Sequence, residues 1–261
     1  MPPESPAAIW SPAALWRDLV VGAIFMTRLP IRHPEALGGA DLSRASRLFA
    51  VVGAGIGCLG GLAYGLAIWL ALPPLLAALL AVAATLLATG ALHEDGLADV
   101  ADGFGGGHDR ARKLEIMRDS RIGTYGVAAL VVCIGLRVGA LASLADPWRV
   151  LAALIAAHAL ARAFVPAVMT MLPPARAEGL GAETEAPALA HLGVALGLGV
   201  LLASLALGPG RGVIAVLVGA AATAAMAGLA RRQIGGYTGD VLGSVEQAGE
   251  AAVLLAVVAM A

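Results

Sequence analysis

Carboxylates recur at helical spacing in one stretch of this chain, residues 93–121, which holds seven of the 18 acidic residues and five of the 17 lysines and arginines. In a helix, Asp95, Asp99 and Asp102 stand at positions i, i+4 and i+7 and therefore share one face. Three carboxylates that close together repel one another, so the arrangement requires a compensating cation.

Mg²⁺ is the cation that this set of carboxylates favours, because it takes hard oxygen ligands, keeps several waters and is usually completed by substrate phosphates. The alternative is a solvated acidic helix end. Gly96 and Gly103 argue against that alternative, since each would weaken such a helix by about 1 kcal/mol. We therefore predict that Asp95, Asp99 and Asp102 hold Mg²⁺.

A glycine run and a basic segment follow these carboxylates. The three consecutive glycines at 105–107 are predicted to let the main chain turn tightly and bring its N–H groups near an anion. The basic residues within 109–121 could hold a diphosphate and stabilise the charge that develops when a phosphoryl group is transferred. A cytoplasmic loop would also be basic, so for Arg110, Arg112 and Lys113 both interpretations stay open.

The composition predicts that these groups are positioned by helices in a membrane. Hydrophobic residues make up 59% of the 261 positions, charged residues only 13%, and the mean hydropathy is +0.86. Apolar runs long enough to cross about 30 Å of hydrocarbon recur, and their Ala, Leu, Val and Gly content favours closely packed helices. We predict an all-α polytopic membrane bundle, a single domain over 1–261, with about six to eight transmembrane or half-inserted helices.

The apolar runs also predict where the helices lie. A short run at 15–29 favours a helix in the membrane interface. Full spans are predicted at 48–72, 75–92, 124–144, 148–172, 190–207 and 213–230, with a last run from 251 that could start nearer 241. The second span is expected to continue as one helix into the charged stretch.

Basic residues predict the orientation. They cluster in alternate connections, at Arg44, Arg47, 110–121, Arg176, Arg231 and Arg232. The other side has only Arg149 and Arg211. By the positive-inside rule the first group is cytoplasmic. The polar segments at 31–47, 93–121, 173–189 and 231–250 then meet on the cytoplasmic face of an inner membrane, and Arg44 becomes a candidate substrate contact.

Charged residues inside the predicted spans should face the protein interior, because each costs at least about 2.5 kcal/mol in lipid. On this basis Arg137 and Arg162 could each help to bind substrate. His158, one turn before Arg162, could serve the same purpose or act as an interhelical hydrogen-bond partner. Asp240 could be a further metal ligand, a substrate contact or an N-cap.

Four motifs resemble one known family. They are HEDGLADVADG at 93–103, EIMRDSRIGTYG at 115–126, PPARAEGLG at 173–181 and GGYTGDVLG at 235–243. Together they resemble the cobalamin synthase family, and the resemblance extends from TRLP at 27–30 to the end of the chain. It implies a bacterial integral membrane enzyme that uses Mg²⁺ to join adenosylcobinamide-GDP with α-ribazole, or its 5′-phosphate, and releases GMP.

The resemblance also implies roles for individual residues. The three aspartates would carry Mg²⁺, and one of them or His93 would be the general base. Phosphate binding and positioning would fall to Arg118, Asp119, Ser120 and Arg121. Membrane lipid is an expected partner and nucleic acid is not, because the net charge of -1 is spread without a basic stripe. A homo-oligomer is left open.

Two rival functions follow from the same residues. CDP-alcohol phosphotransferases also pair a DGxxA motif with further aspartates at a membrane face, but they have Arg where this chain has Asp99. A transporter would use Arg137, His158 and Arg162 to line a solute path. It would also predict internal repeats, and the two halves of the sequence show no convincing similarity.

Overall fold

The computed structural model describes residues 10–31, 38–179 and 184–261, and within these ranges the regular structure is helical without a strand. The helices, in chain order, are α1 (Pro12–Met26), α2 (Gly39–Ala45), α3 (Phe49–Trp69), α4 (Pro74–Thr89), α5 (Leu92–Gly106), α6 (Arg110–Ile116), α7 (Thr124–Leu144), α8 (Pro147–Met171), α9 (Leu189–Leu207), α10 (Pro209–Ile234) and α11 (Gly239–Ala259). A short 3₁₀ segment, Ser46–Leu48, joins α2 to α3.

Six of these elements are long and apolar enough to cross a membrane, with α2 and α3 counted as one continuous span. The predicted all-α membrane bundle is therefore confirmed. The spans predicted at 48–72, 124–144, 148–172 and 190–207 correspond to α3, α7, α8 and α9 within a few residues. Many large apolar side chains remain exposed on the outside of the bundle, among them Leu87, Val131 and Leu205, as expected for a surface that faces lipid.

The second predicted span, 75–92, does not continue as one helix into the charged stretch. α4 ends at Thr89, and α5 starts at Leu92 in a direction bent by 91°. The bend is made by Gly90 and Ala91, which both adopt left-handed backbone conformations with φ of 64° and 57°. The three aspartates nevertheless remain on one helix, because α5 contains all of them.

The last helix starts close to the alternative start predicted near 241, and well before the apolar run at 251. α11 begins at Gly239, where the Thr238 side chain accepts a hydrogen bond from Val241 N and so caps the helix. Its first half is polar in sequence, yet Glu246, Gln247 and Glu250 are buried. Hydropathy alone assigned this segment to a polar surface, whereas partners on other helices allow it to lie inside the bundle.

Helix α8 forms the centre of the bundle, and α3 packs against it through a row of glycines. Gly53, Gly57 and Gly61 are spaced by four residues along one face of α3. A Cβ at Gly53 would collide with the His158 carbonyl oxygen, and one at Gly57 with that of Leu154. This small-residue stripe lets the two backbones approach closely, the usual basis of helix packing in lipid.

A buried ion-pair network connects four helices below the polar end of the bundle. Arg137 of α7 donates to Glu94 Oε1 of α5 at 2.6 Å, and its Nε lies 2.7 Å from Glu250 Oε1 of α11. On α8, Arg162 pairs with Glu246 at 2.5 Å, and His158 Nδ1 lies 3.0 Å from Glu250 Oε2. The expectation that both arginines face the interior is confirmed.

Gln247 completes this network with hydrogen bonds. Its amide nitrogen donates to Glu94 at 3.1 Å and to Glu246 at 2.9 Å, and its oxygen accepts from Arg137 at 3.2 Å. Each ion therefore has a partner from a different helix. Such pairing offsets the cost of burying charges, and it fixes α5 relative to α7 and α11.

Replacing Arg137 by methionine should strongly destabilise the protein. The change leaves Glu94 and Glu250 buried without their cation, so we expect the free energy of unfolding to fall by about 3–5 kcal/mol. Reversible unfolding in mixed micelles would measure it. Arg149→Met is the control, because the Arg149 side chain is exposed and its loss should change stability by less than about 0.5 kcal/mol. Equal effects of the two substitutions would contradict the structural role of the network.

Candidate active site

The carboxylate face of α5 lies against the beginning of α11. The two helices touch at Gly96, where an added Cβ would lie 2.7 Å from the Asp240 carbonyl oxygen, and at Gly243, which approaches the backbone of His93. Ser244 Oγ donates to the Gly96 carbonyl oxygen at 3.1 Å. This close crossing places Asp240 beside the aspartates of α5.

Four carboxylates gather at this crossing. Asp99 lies close enough to Asp95, Asp102 and Asp240 to experience the negative charge of each, and Arg176 is the nearby cation. Arg176 Nη1 is 3.4 Å from Asp240 Oδ2. Within the described ranges, neither Asp95 nor Asp99 has a hydrogen-bond or ion-pair partner for its carboxylate. The cluster therefore holds more negative charge than its protein surroundings balance.

Asp102 has a structural partner as well. Its two carboxylate oxygens accept hydrogen bonds from the backbone N–H groups of Gly123, at 2.7 Å, and Gly126, at 2.9 Å. These two N–H groups lie at the N-terminus of α7. The N-cap residue of that helix, Gly123, has no side chain that could accept a hydrogen bond from them. A carboxylate is favourable at a helix N-terminus, so Asp102 ties the aspartate-bearing helix to the following span.

The donor set suits a divalent cation. Asp95, Asp99 and Asp240 offer hard oxygen ligands, two of them without a protein partner, and Asp102 keeps further lone pairs beside its two accepted hydrogen bonds. Among the described residues, the one triad whose ligand atoms already lie within 4.8 Å of one another is His158, Glu246 and Glu250. Those two glutamates are held by arginines, so the cluster on α5 is the better candidate for Mg²⁺.

Arg176 is positioned by a loop that pairs with the turn before α11. Ala175 N donates to Tyr237 O at 2.7 Å, and Tyr237 N donates to Pro173 O at 2.9 Å. Gly236 is needed there, because a Cβ would collide with the Pro173 carbonyl oxygen. The PPARAEGLG and GGYTGDVLG motifs are thereby joined; residues 180 and 181 of the former lie outside the described residues.

The open question about the first three basic residues of α6 has a structural answer. Arg110 donates to two backbone carbonyls, Ile234 O at 2.8 Å and Ala175 O at 2.7 Å. Lys113 bonds to Gln233, and Arg112 pairs with Glu115 at 2.8 Å. The contacts of Arg110 and Lys113 fasten α6 to the end of α10 and to the segment after α8, whereas Arg112 pairs within α6.

The four residues predicted for phosphate binding fall into two groups. Arg118 is exposed and has no hydrogen-bond or ion-pair partner in the described part of the chain, and it lines a groove that also contains Arg176. Asp119 and Arg121 form a bidentate pair with each other at the surface, and hydrogen bonds from the Arg121 side chain lower the pKa of Asp119 to about 2. Ser120 is exposed on the same turn.

The glycine run does not form the predicted anion-binding turn. Gly105 and Gly106 belong to the last turn of α5, and none of the three has a positive φ. Their small size serves packing instead. A Cβ at Gly105 would lie 2.6 Å from the Tyr125 ring, and one at Gly107 would lie 2.8 Å from Lys113 N.

The remaining predicted residues lie around the cluster at different depths. His93 is buried; its Nδ1 is 3.5 Å from Arg162 Nη2 and 3.9 Å from Glu246 Oε2. Arg162 is buried in the network with Glu246 and His158 as partners. Arg44 pairs with Asp18 at 2.9 Å and with Asp41 at 3.3 Å, which fastens α1 to α2.

One hollow reaches the carboxylates, and a second is connected to them through Arg176. One has a volume of about 230 Å³, has mostly apolar walls and reaches His93, Asp95 and Asp240. The other, about 470 Å³, is a groove between α6 and the 175–178 segment and carries Arg110, Arg118 and Arg176. Arg176 lies between them, because it lines the groove and pairs with Asp240. The arrangement can hold a cation and an anionic group side by side.

Comparison with known proteins identifies the family of this chain. The family model described as cobalamin-5-phosphate synthase matches residues 18–258. The chain belongs to this family. It is 52% identical over 238 residues to a Bradyrhizobium diazoefficiens protein named adenosylcobinamide-GDP ribazoletransferase, covering 91% of this chain and 92% of that protein. Relatives with the same name from Mesorhizobium japonicum and Azorhizobium caulinodans are 45% and 47% identical, over 94% and 92% of this chain and 94% of each relative. No solved structure matches the chain.

In this member of the cobalamin-5-phosphate synthase family, the sequence patterns do not predict the positions of three residues, Arg176, Glu246 and Glu250. Arg176 was read as an orientation signal, although it lies within one of the four quoted motifs. Glu246 and Glu250 were read as surface residues because they precede the last apolar run. Two features of the sequence indicate their burial. Glu246 and Glu250 are four residues apart and so share one helix face, and the two arginines inside predicted spans, Arg137 and Arg162, need anionic partners.

Substituting Gly96 by alanine should separate α5 from α11. The new methyl group would lie 2.7 Å from the Asp240 carbonyl oxygen, so the helices must move apart, and we expect a loss of about 1–3 kcal/mol in unfolding free energy. Gly135→Ala is the control, because nothing lies within 4 Å of a Cβ there. Thermal unfolding in detergent compares the two. If Gly96→Ala is as stable as Gly135→Ala, the close crossing is not a requirement of the fold.

Proposed function

We propose that this protein is an adenosylcobinamide-GDP ribazoletransferase. It joins adenosylcobinamide-GDP with α-ribazole, or with α-ribazole 5′-phosphate, and releases GMP. Family membership and the names of relatives that are 41–52% identical support the reaction class. The observation that carries the proposal is that Asp95 and Asp99 have no side-chain partner among the described residues and lie near a groove that contains three arginines.

The reaction needs a hydroxyl nucleophile and a leaving group that departs with negative charge. The ribose 3′-hydroxyl of α-ribazole attacks the phosphorus nearest cobinamide, the new O–P bond forms, and the bond to the GMP phosphate breaks in line. The hydroxyl proton passes to a base. Asp95 and His93 both line the apolar cavity and are the candidates for this base.

Arg118 and Arg176 supply positive charge to the diphosphate. Arg118 is free of protein partners within the described residues, whereas Arg176 holds Asp240 weakly, at 3.4 Å. A guanidinium binds phosphate oxygens through paired N–H groups. The groove between α6 and the 175–178 segment therefore accommodates the GDP portion, next to the carboxylates.

Asp95, Asp99 and Asp240 would hold Mg²⁺, with Asp102 contributing while it caps α7. The bound ion would supply neutralisation of diphosphate charge and help stabilise the leaving group. The ion would also balance the negative charge that the four carboxylates concentrate at this crossing. The role of the protein is to keep these oxygens in place, which the crossing of α5 and α11 does.

The site would face the cytoplasm across the inner membrane of a bacterium. The polar connections that carry it also carry most of the basic residues, whereas the opposite end of the bundle carries Arg149 and Arg211. The positive-inside rule favours that orientation, and the relatives named above are bacterial.

Asp99→Asn should abolish the transfer. The substitution removes one negative oxygen from the centre of the cluster, so we expect at least a thousandfold lower kcat, a loss of about 4 kcal/mol of transition-state stabilisation. Purified protein with Mg²⁺, adenosylcobinamide-GDP and α-ribazole is assayed for the complete corrinoid and GMP. Asp146→Asn is the control, because Asp146 caps α8 at the opposite end and asparagine caps equally well.

Chelation with EDTA should give the same loss in the wild-type protein and should be reversed by added Mg²⁺. Full activity in EDTA, or in Asp99→Asn, would refute the metal assignment. Formation of a phospholipid from CDP-diacylglycerol and an alcohol, in place of the corrinoid, would refute the proposed reaction.

Arg118→Gln should weaken binding of the GDP substrate. Loss of a charge-assisted hydrogen bond to phosphate costs about 1.5–3 kcal/mol, so kcat/KM for adenosylcobinamide-GDP should fall about 10- to 100-fold. Arg112→Gln is the matched control on the same segment, because Arg112 pairs with Glu115 at the surface. Steady-state kinetics at fixed α-ribazole measure both. An equal loss in the two variants would show that general positive charge, rather than Arg118, attracts the substrate.

A further inference from the structure

A mostly apolar cavity of about 230 Å³ ends at the catalytic carboxylates, and the reaction chemistry does not use its apolar portion. Six helices, α1, α2, α3, α5, α8 and α11, supply the walls. The apolar lining includes Phe25, Leu42, Phe49, Val165, Met169 and Leu242. Its polar end is formed by His93, Asp95 and Asp240. The cavity therefore presents a hydrophobic compartment whose mouth is the reaction centre.

We propose that this cavity binds the dimethylbenzimidazole base of α-ribazole and thereby presents the ribose hydroxyl to Asp95 and Asp240. The inference rests on the proposed function and adds to it the place where the nucleophilic substrate sits. It assigns the second hollow, the groove with Arg118 and Arg176, to the other substrate.

The size of the cavity excludes a whole substrate. Pockets that enclose complete drug-sized ligands measure about 300–1,000 Å³, so a cavity of about 230 Å³ holds one compact group. The corrin ring is far larger than such a ligand fragment. A bicyclic aromatic base is of the right order, and the attached ribose would extend out of the cavity towards the carboxylates.

The walls favour an apolar aromatic ring over guanine. Phe25 and Phe49 stack on each other with ring centroids 6.4 Å apart and an interplanar angle of 13°. Met26 and Met169 add polarisable sulfur atoms, which contact aromatic rings favourably. Guanine has hydrogen-bonding groups along several edges, and burying them against these walls would leave them unpaired at a cost. Dimethylbenzimidazole carries two methyl groups and needs no such partners.

The polar groups at the mouth suit a riboside. Its hydroxyl groups can donate hydrogen bonds to oxygens of Asp95 and Asp240, which line the polar end of the cavity. The same contact would hold the 3′-hydroxyl beside the cluster.

Filling the cavity tests the assignment. Val165→Phe places a ring in the space beside Met169, so the KM for α-ribazole should rise about tenfold or more, while that for adenosylcobinamide-GDP changes by less than about twofold. Val131→Phe is the matched control, because Val131 lies on the exposed face of α7. A rise in the KM for adenosylcobinamide-GDP alone, or no change in either KM, would overturn the inference.

A binding measurement separates this inference from the proposed reaction. Calorimetric titration of α-ribazole into Asp99→Asn protein needs no turnover, and the added Val165→Phe should abolish the heat of binding. If wild-type protein makes no corrinoid but this titration behaves as expected, the proposed reaction fails and the base site stands. If Asp99→Asn/Val165→Phe binds α-ribazole as well as Asp99→Asn does, the base site fails.

A second variant covers the case in which Val165→Phe does not fold. Val165→Ala removes two methyl groups from the wall, and we expect the KM for α-ribazole to rise about tenfold through lost contacts. The KM for ribosides that lack the two base methyl groups should rise less, because those methyl contacts are already absent. An identical rise for both ribosides would count against the assignment.

Discussion

The ion pairs of Arg137 with Glu94 and Glu250 are the interaction on which the rest of the site depends. Arg137 is only 2% exposed, so its charge must be balanced inside the protein. The two glutamates come from α5 and α11, the helices that carry the aspartates of the proposed site. The requirement for neutrality in lipid thus brings together the two carboxylate-bearing elements.

The ion-pair network lies deeper in the bundle than the aspartate cluster. The two differ in how far their carboxylates are paired with protein groups. In the network, each buried carboxylate has an arginine, a histidine or an amide as a partner. At the crossing of α5 with α11, Asp95 and Asp99 have no partner within the described residues. The paired network gives rigidity, and the incompletely paired carboxylates above it would provide the ligands for the proposed cation.

Small residues determine how closely these layers can pack. Gly53 and Gly57 admit the backbone of α8, and Gly96 admits the backbone at Asp240. None of these three glycines has a positive φ, so their role is space rather than conformational freedom. The same holds for the 105–107 run, whose missing side chains make room for Tyr125 and Lys113. A glycine-rich sequence in a membrane enzyme thus signals close packing more often than a turn.

The sequence by itself determined the membrane class, most of the spans, the common face of Asp95, Asp99 and Asp102, and the family. These properties are local or compositional: hydropathy is averaged over a span, and helical spacing depends only on chain geometry. Tertiary structure decided the break at Gly90 and Ala91, the burial of Glu246 and Glu250, and the pairing of Arg176 with Asp240. Each of those depends on a partner distant in the chain, because a polar residue can be buried only where another helix supplies the opposite charge.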